Sequence, residues 1–192
     1  MENVMALCLE TERLRLRHFT AGDVPAILEL FSDPEVNTFL PWWPLKDEAE
    51  AEAFYRTRLQ GPYCCAICLK DRIEWPIGYI KVDPEGAHDL GYALSCSYWH
   101  QGITAEAGAA LLKYVVQEGI PFVTATHDRN NPNSGAVMRK LGLKYCYSYV
   151  EQWQPKDFPV VFRMYQRNFS VAQDFSFKKY WEQSSERMIE AL

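Results

Sequence analysis

Residues Tyr98-Trp99-His100-Gln101-Gly102-Ile103-Thr104-Ala105-Glu106-Ala107 place a glycine-containing turn between a short strand pattern and a long helical one. A turn of this kind aims backbone N–H groups outward while the following helix presents its positive end, which makes a seat for phosphate. A second helix start lies downstream at Asn131-Pro132-Asn133-Ser134, and its run ends at Gly142. Proline suits the first helical position, which makes Asn131 the N-cap and puts the Ser134 hydroxyl in the first turn. Two such helix starts together point to a phosphorylated coenzyme. His127 stands just beyond a predicted strand, where its imidazole titrates near neutrality; such a histidine serves either as a base or as a structural or exposed loop residue.

Other chemistries find less support. Cys65 and Cys68 have CxxC spacing, but they sit in a run that reads as a strand, and no second pair follows at zinc-site spacing. The cysteines are therefore read as small core residues, and no metal is expected. Gly102 lacks the surrounding GxGxxG of a dinucleotide fold, and GxxxxGK[ST] is missing as well. A formal net charge of −5 argues against a nucleic-acid-binding body. No stretch approaches the roughly 20 apolar residues of a membrane span. Met1-Glu2-Asn3-Val4 shows no signal-peptide pattern, so a cytoplasmic location is the expectation.

The elements that must position these groups follow from periodicity. Leu14 and Leu16, with Phe19 as an extension, alternate with Arg13, Arg15 and Arg17 as a strand with one wet face. Thr20 and Asp23 form a capping box with Asp in place of Glu, opening a helix that buries Val24, Ile27, Leu28 and Phe31 and stops before Asp33-Pro34. The aromatic, proline-rich loop from Phe39 to Leu45 either packs over the core or walls a substrate pocket. A helix from Glu48 to about Leu59 precedes strands near Tyr63–Leu69, Pro76–Val82 and Asp89–Leu94. After the helix that opens at Ile103 come a strand over Phe122–Thr126, a short helix over 132–141, and strands near Leu143–Val150 and Val160–Arg167. Phe175–Ile189 reads as an appended amphipathic helix carrying Tyr180, Trp181, Met188 and Ile189. With 48% hydrophobic residues the chain is expected to fold as a single domain over 1–192. The element order predicts an α/β (α+β) fold: a mixed, mostly antiparallel twisted sheet with helices on both faces.

These passages resemble the GNAT superfamily of N-acetyltransferases, and within it the branch that acetylates ribosomal-protein N-termini. The resemblance rests on Leu9-Glu10-Thr11-Glu12-Arg13-Leu14-Arg15-Leu16-Arg17, on Leu90-Gly91-Tyr92, on the Tyr98–Ala107 run, and on Asn131–Ser134 with Val137-Met138-Arg139-Lys140-Leu141-Gly142. It covers about residue 7 to residue 167. It implies an acyl-CoA acyltransferase fold with acetyl-CoA as cosubstrate, seated in a V-shaped gap where the strand ending near Leu94 parts from the strand near Val123. The pantetheine arm would pair with Leu94, Ser95 and Cys96, and N–H groups of His100, Gln101, Gly102, Ile103, Thr104 and Ala105 would hold the pyrophosphate. Asn131 either braces the cofactor arm or caps its helix. His100 and Thr104 depart from the small residues the family often carries there, which crowds the phosphate approach.

Acetyl transfer to an amine requires an uncharged amine, a polarised thioester carbonyl and a stabilised thiolate. The resemblance gives Ser134 the role of donor to the departing sulfur, with helix-terminal bonding as the alternative. Relatives in other branches use a tyrosine one turn on, where this chain has Met138. It gives Glu151, on the late strand, the role of base, against the alternative of a solvated strand-end charge; His127 is the runner-up base. Glu106 serves capping and dipole needs. Tyr145, Trp42 and Trp43 either wall the acceptor pocket or pack the core. The implied activity is transfer of acetyl from acetyl-CoA to a primary amine, on a peptide N-terminus or a small molecule, by direct attack in a ternary complex. The alternatives are a small-molecule or antibiotic acetyltransferase and a non-catalytic CoA-binding module. A monomer or homodimer is expected, with neither nucleic acid nor membrane as partner.

Overall fold

The computed structural model describes residues 7–192, so the reading of Met1 to Val4 lies outside the described residues. The first strands form a sequential antiparallel meander: β1 (Cys8–Glu10), β2 (Leu14–Arg17), β3 (Cys64–Leu69), β4 (Arg72–Val82) and β5 (Leu90–Leu94). A second sheet runs in the order β6 (Phe122–Asp128), β8 (Phe158–Asn168), β7 (Lys144–Trp153) and β9 (Arg187–Met188), again with antiparallel pairs. One parallel bridge, between Asp89 and Thr124, joins the two. Past it, among the described residues, Leu90–Leu94 pairs only with β4 and Ala125–Asp128 only with β8. The neighbouring strands β5 and β6 therefore diverge into the V that the resemblance implies.

The alternating strands pack two helical layers onto opposite faces, because odd and even residues of a strand point to opposite sides. On one face α1 (Val24–Ser32), α2 (Pro34–Asn37) and α3 (Glu48–Arg58) bury Phe31 and Phe54 against Ala66 and Tyr79. On the other, α4 (Ile103–Gln117) and α5 (Pro132–Lys140) bury Leu111, Val115 and Met138 against Leu14, Leu16, Ile80 and Val123. Cys65 belongs to the second core and Cys68 to the first, so this CxxC pair faces opposite ways and cannot close on one ion. Burial pushes the Cys68 thiol up to about 11, which keeps it protonated.

The helix boundaries follow local chemistry. The Asp23 carboxylate accepts from the Thr20 N–H (2.7 Å) and hydroxyl (3.1 Å), and Arg17 donates to both its oxygens (2.7 and 2.8 Å). The predicted box is thus present, and it is tied to β2 by an ion pair. Asp33 then caps α2 by accepting from the Glu35 N–H at 2.8 Å.

The end of the chain differs from the long helix expected over 175–189. Only α6 (Lys179–Gln183) is helical, and β9 follows it. The cause lies at the edge of β7, whose main-chain groups need partners. The Val150 N–H donates to the Glu186 carbonyl (2.9 Å), the Ser184 hydroxyl donates to the Val150 carbonyl (2.8 Å), and Arg187 and Met188 pair with Tyr149 and Ser148. A continuous helix would leave that edge bare.

β5 approaches β4 closely at Gly78, where a Cβ would stand 2.5 Å from the Ala93 carbonyl oxygen and 3.1 Å from the Leu94 Cα. Gly78→Ala is expected to lower stability by about 1–3 kcal/mol through overpacking, read as a lower urea midpoint with unchanged slope.

Candidate active site

The turn before α4 has the shape its sequence requires. His100 and Gly102 adopt left-handed φ of 61° and 76°, and the first helical bond of α4 runs from the Glu106 N–H to the Gly102 carbonyl at 3.0 Å. The N–H groups of Ile103, Thr104 and Ala105 therefore lead out of the helix end, free to meet an anion such as a diphosphate. The turn is clamped from below. Glu106 accepts from the Thr11 hydroxyl (2.5 Å), the Arg13 N–H (3.0 Å) and the Arg13 guanidinium (2.6 and 2.7 Å), while that guanidinium also donates to the Gln101 carbonyl (3.0 Å). Burial alone would raise the Glu106 carboxyl, but these hydrogen bonds outweigh it and hold the group below its usual value. Glu106 is a brace for the turn rather than a free dipole charge. Arg13, read from sequence as one charge on a wet strand face, is the missed half of that brace.

The strand that would meet a pantetheine arm is partly engaged. The Ser95 N–H donates to the Ile77 carbonyl (2.8 Å), so by alternation the main-chain groups of Leu94 turn to the open edge. There the Trp99 indole N–H donates to the Leu94 carbonyl at 2.7 Å. An amide pairing with that carbonyl must first displace the indole. Cys96 lies further along, donating to Asp33 at 3.3 Å. Burial, then the bond to Asp33, pushes its thiol up to about 12. Asp33, Glu35 and Cys96 bring potential ligand atoms within 4.8 Å of one another, a loose cluster that includes the Cys96–Asp33 hydrogen bond.

Across the gap, the Asn131 side chain caps α5 by accepting from the Ser134 N–H at 3.3 Å. The Ser134 hydroxyl lies 3.0 Å from the Tyr92 hydroxyl, which also donates to the Ser134 carbonyl at 2.9 Å. Burial raises the Tyr92 phenol, so it stays a donor. Tyr92 stood in the sequence only as part of a matching strand; its reach across the V to α5 is visible in three dimensions alone. His127 lies inside β6, not beyond it, because the β8 pairing extends the strand to Asp128. Its Nδ1 meets the Asp128 carbonyl at 2.7 Å, and Nε2 finds no partner among the described residues. Nε2 faces Gly135, where a Cβ would come within 2.6 Å. Burial lowers the imidazole, so it is neutral.

These elements line one cleft of about 800 Å³. Its coenzyme side is formed by residues of β5, the turn and α5, including Leu94, His100, Gly102, Asn131 and Ser134. The rest of the lining is aromatic and charged: Trp42, Trp153, Phe162 and Tyr180 with the acids Glu35, Asp89 and Glu151 and the cations Arg58 and Lys81. Desolvation raises the Glu151 carboxyl. Asp89, at the vertex of the V, is pushed up to about 7 by burial and by the neighbouring Asp83, against Lys81. It escaped the sequence reading because one acid at the head of a strand carries no mark of burial. The loop from Phe39 to Leu45 does both things open to it, since Trp42 packs on Phe31 and Phe54 while also lining the cleft. Trp43 and Tyr145 stand outside the lining. The Lys156 ammonium donates to the Asn37 carbonyl at 2.6 Å and lies 5.7 and 5.8 Å from the Trp43 and Trp153 rings.

A split between adjacent parallel-bridged strands, a phosphate-suited turn at one tip and a facing helix start are the geometry of an acyl-CoA transferase. The acetyltransferase (GNAT) domain family matches residues 13–144, and the chain belongs to that family. YnaD of Bacillus subtilis, an uncharacterised N-acetyltransferase, is 28% identical over 76% of this chain and 91% of its own length. The solved GNAT acetyltransferase from Bacillus anthracis superposes with a TM-score of 0.74 at 24% identity, covering 84% of this chain and 98% of that one. RimL, described as a ribosomal L7/L12 alpha-N-protein acetyltransferase in complex with coenzyme A, gives 0.72 at 19% identity over 86% of this chain and all 100% of its own.

Left-handed φ at a non-glycine residue costs roughly 1–2 kcal/mol. His100→Gly is therefore expected to raise Tm and to tighten CoA binding, measured by thermal unfolding and calorimetric titration. Looser binding would show that the imidazole itself holds the coenzyme.

Proposed function

We propose that the chain moves the acetyl group of acetyl-CoA to a primary amine by direct attack in a ternary complex. The observation that carries this reading is the Asp89–Thr124 bridge, past which β5 and β6 separate beside the outward N–H groups of Ile103, Thr104 and Ala105. The N–H groups of the turn hold the diphosphate, His100 to Ala105 contributing, and β5 near Leu94, Ser95 and Cys96 aligns the arm. Asn131 holds the start of α5 in place.

The acceptor arrives as an ammonium and must lose a proton. Glu151 takes that proton, its carboxyl raised toward the working range by desolvation. The amine nitrogen then bonds to the thioester carbon and sheds its second proton as the C–S bond breaks; that proton neutralises the departing thiolate, whose sulfur also accepts a hydrogen bond from Ser134. The Tyr92 and Ser134 hydroxyls lie 3.0 Å apart and either can donate; with the Tyr92 proton on the Ser134 Oγ, the serine proton is free for sulfur. Asp89 is the second candidate base, favoured by its value of about 7. His127 is the least suited, since Nε2 faces α5.

A peptide N-terminus is the preferred acceptor. Glu35, Asp89 and Glu151 among aromatic rings suit a cationic amine. RimL is described as acting on an alpha-amino group, and a Salmonella typhimurium relative as modifying an N-terminal serine. Acetyl-transfer assays on peptide and small-amine panels test the reading: turnover supports it, and tight CoA binding without turnover overturns it in favour of a CoA-binding module.

Ser134→Ala is expected to lower kcat by about 10²-fold while leaving the CoA Kd unchanged. An unchanged kcat removes the donor role. A carboxylate base works only when ionised, so kcat/KM should climb as pH rises through its pKa. Glu151→Gln is expected to flatten that climb; a climb surviving there but lost in Asp89→Asn transfers the role to Asp89.

A further inference from the structure

The stretch after β8 lies outside the matched family region of 13–144, yet it reaches the heart of the cleft. Tyr180, on α6, stacks on Tyr149 with ring centroids 5.3 Å apart and planes 6° from parallel. It lines the cleft together with Glu151, Trp153 and Phe162. Asp89 lines the same cleft, and burial, with the Asp89 carboxylate next in weight, raises the Tyr180 phenol.

The tail holds this ring by ties on both sides. Upstream, the Phe177 N–H donates to Gln166 Oε1 (2.8 Å) and the Tyr147 hydroxyl donates to the Phe177 carbonyl (2.6 Å). Downstream, Ser184 bonds to Val150, β9 pairs with β7, and Glu190 takes the Arg163 guanidinium at 2.5 Å and the Ser148 hydroxyl at 2.5 Å. Those hydrogen bonds hold the Glu190 carboxyl at about 2, so the downstream tie persists at any ordinary pH. A five-residue helix would not hold a ring still by itself; pinned on both sides, it does.

We propose that the C-terminal tail is a wall of the acceptor site and that Tyr180 is the specificity-determining residue of that wall, setting how large a group beside the acceptor amine the pocket admits. This inference rests on the acetyltransferase reading above. The Tyr149–Tyr180 stack closes the pocket at its Asp89 end, so a slim group next to the amine fits and a bulky one meets the ring. Shortening the side chain opens that end without touching the turn that holds the diphosphate.

The test uses the full chain and two pairs of probes: hexapeptides alike except for an N-terminal Ser or Phe, and ethanolamine against phenethylamine. Wild type should favour the slim member of the pair it acetylates. Tyr180→Ala should cut that preference by about tenfold, through acceptor KM, with acetyl-CoA KM unaltered. Tyr180→Phe keeps the stacked ring and should keep the preference. If Tyr180→Ala proves unstable, Tyr180→Leu retains an apolar contact with Phe177 and carries the same expectation. A preference as strong as wild type in a folded Ala or Leu variant overturns the proposal, as does its equal loss in Tyr180→Phe. Wild-type CoA binding with no transfer to any probe removes the acetyltransferase reading itself, and this inference with it.

Discussion

One main-chain contact governs the molecule. The Thr124 N–H donates to the His88 carbonyl at 3.3 Å, its hydroxyl donates to the Ala87 carbonyl at 2.9 Å, and there the ladder between the two sheets stops. Had the pairing continued, Leu90–Leu94 and Ala125–Asp128 would have satisfied each other and left no gap. Because it stops, two strand edges are exposed side by side, and exposed backbone groups in a protein interior demand partners. A ligand rich in amides is one such partner. The Trp99 indole donates to the Leu94 carbonyl, and the Tyr92 hydroxyl bonds across to α5.

The rest of the fold keeps the gap open without letting it collapse. On the coenzyme side Arg13 and Glu106 bind the turn to the β1–β2 connection, which fixes where the helix end points. Elsewhere Lys156 ties the turn between β7 and β8 to the last residue of α2, Asn37. The cleft is thus joined at its vertex, and within it Tyr92 bonds across to α5. Such an arrangement puts carboxylates and aromatic rings into a partly dry space, where their ionisation shifts and their contacts strengthen.

Much of this was legible in the sequence, for reasons that differ by element. The Arg-Leu alternation of β2, the Thr20–Asp23 box and the Asn131-Pro132 helix start are local signals, written within four residues, and the structure reproduces them. The family match carries the turn and α5 because both are contiguous motifs. What stayed hidden depends on pairing between distant segments. The β8 partner carries β6 through His127, and that changes a loop imidazole into a buried one. Asp89 looks like any strand-end acid until β6 and the tail cover it. The tail was misread because Tyr180, Trp181, Met188 and Ile189 have helical spacing, whereas the need to fill the β7 edge outweighs that periodicity after Ser184.

That same edge has a bearing on how copies of the molecule meet. With Ser148, Tyr149 and Val150 already hydrogen-bonded to the chain's own last residues, a neighbouring molecule cannot lengthen the sheet through this stretch of β7. Strand addition on that side would have to start from the two-residue β9 instead.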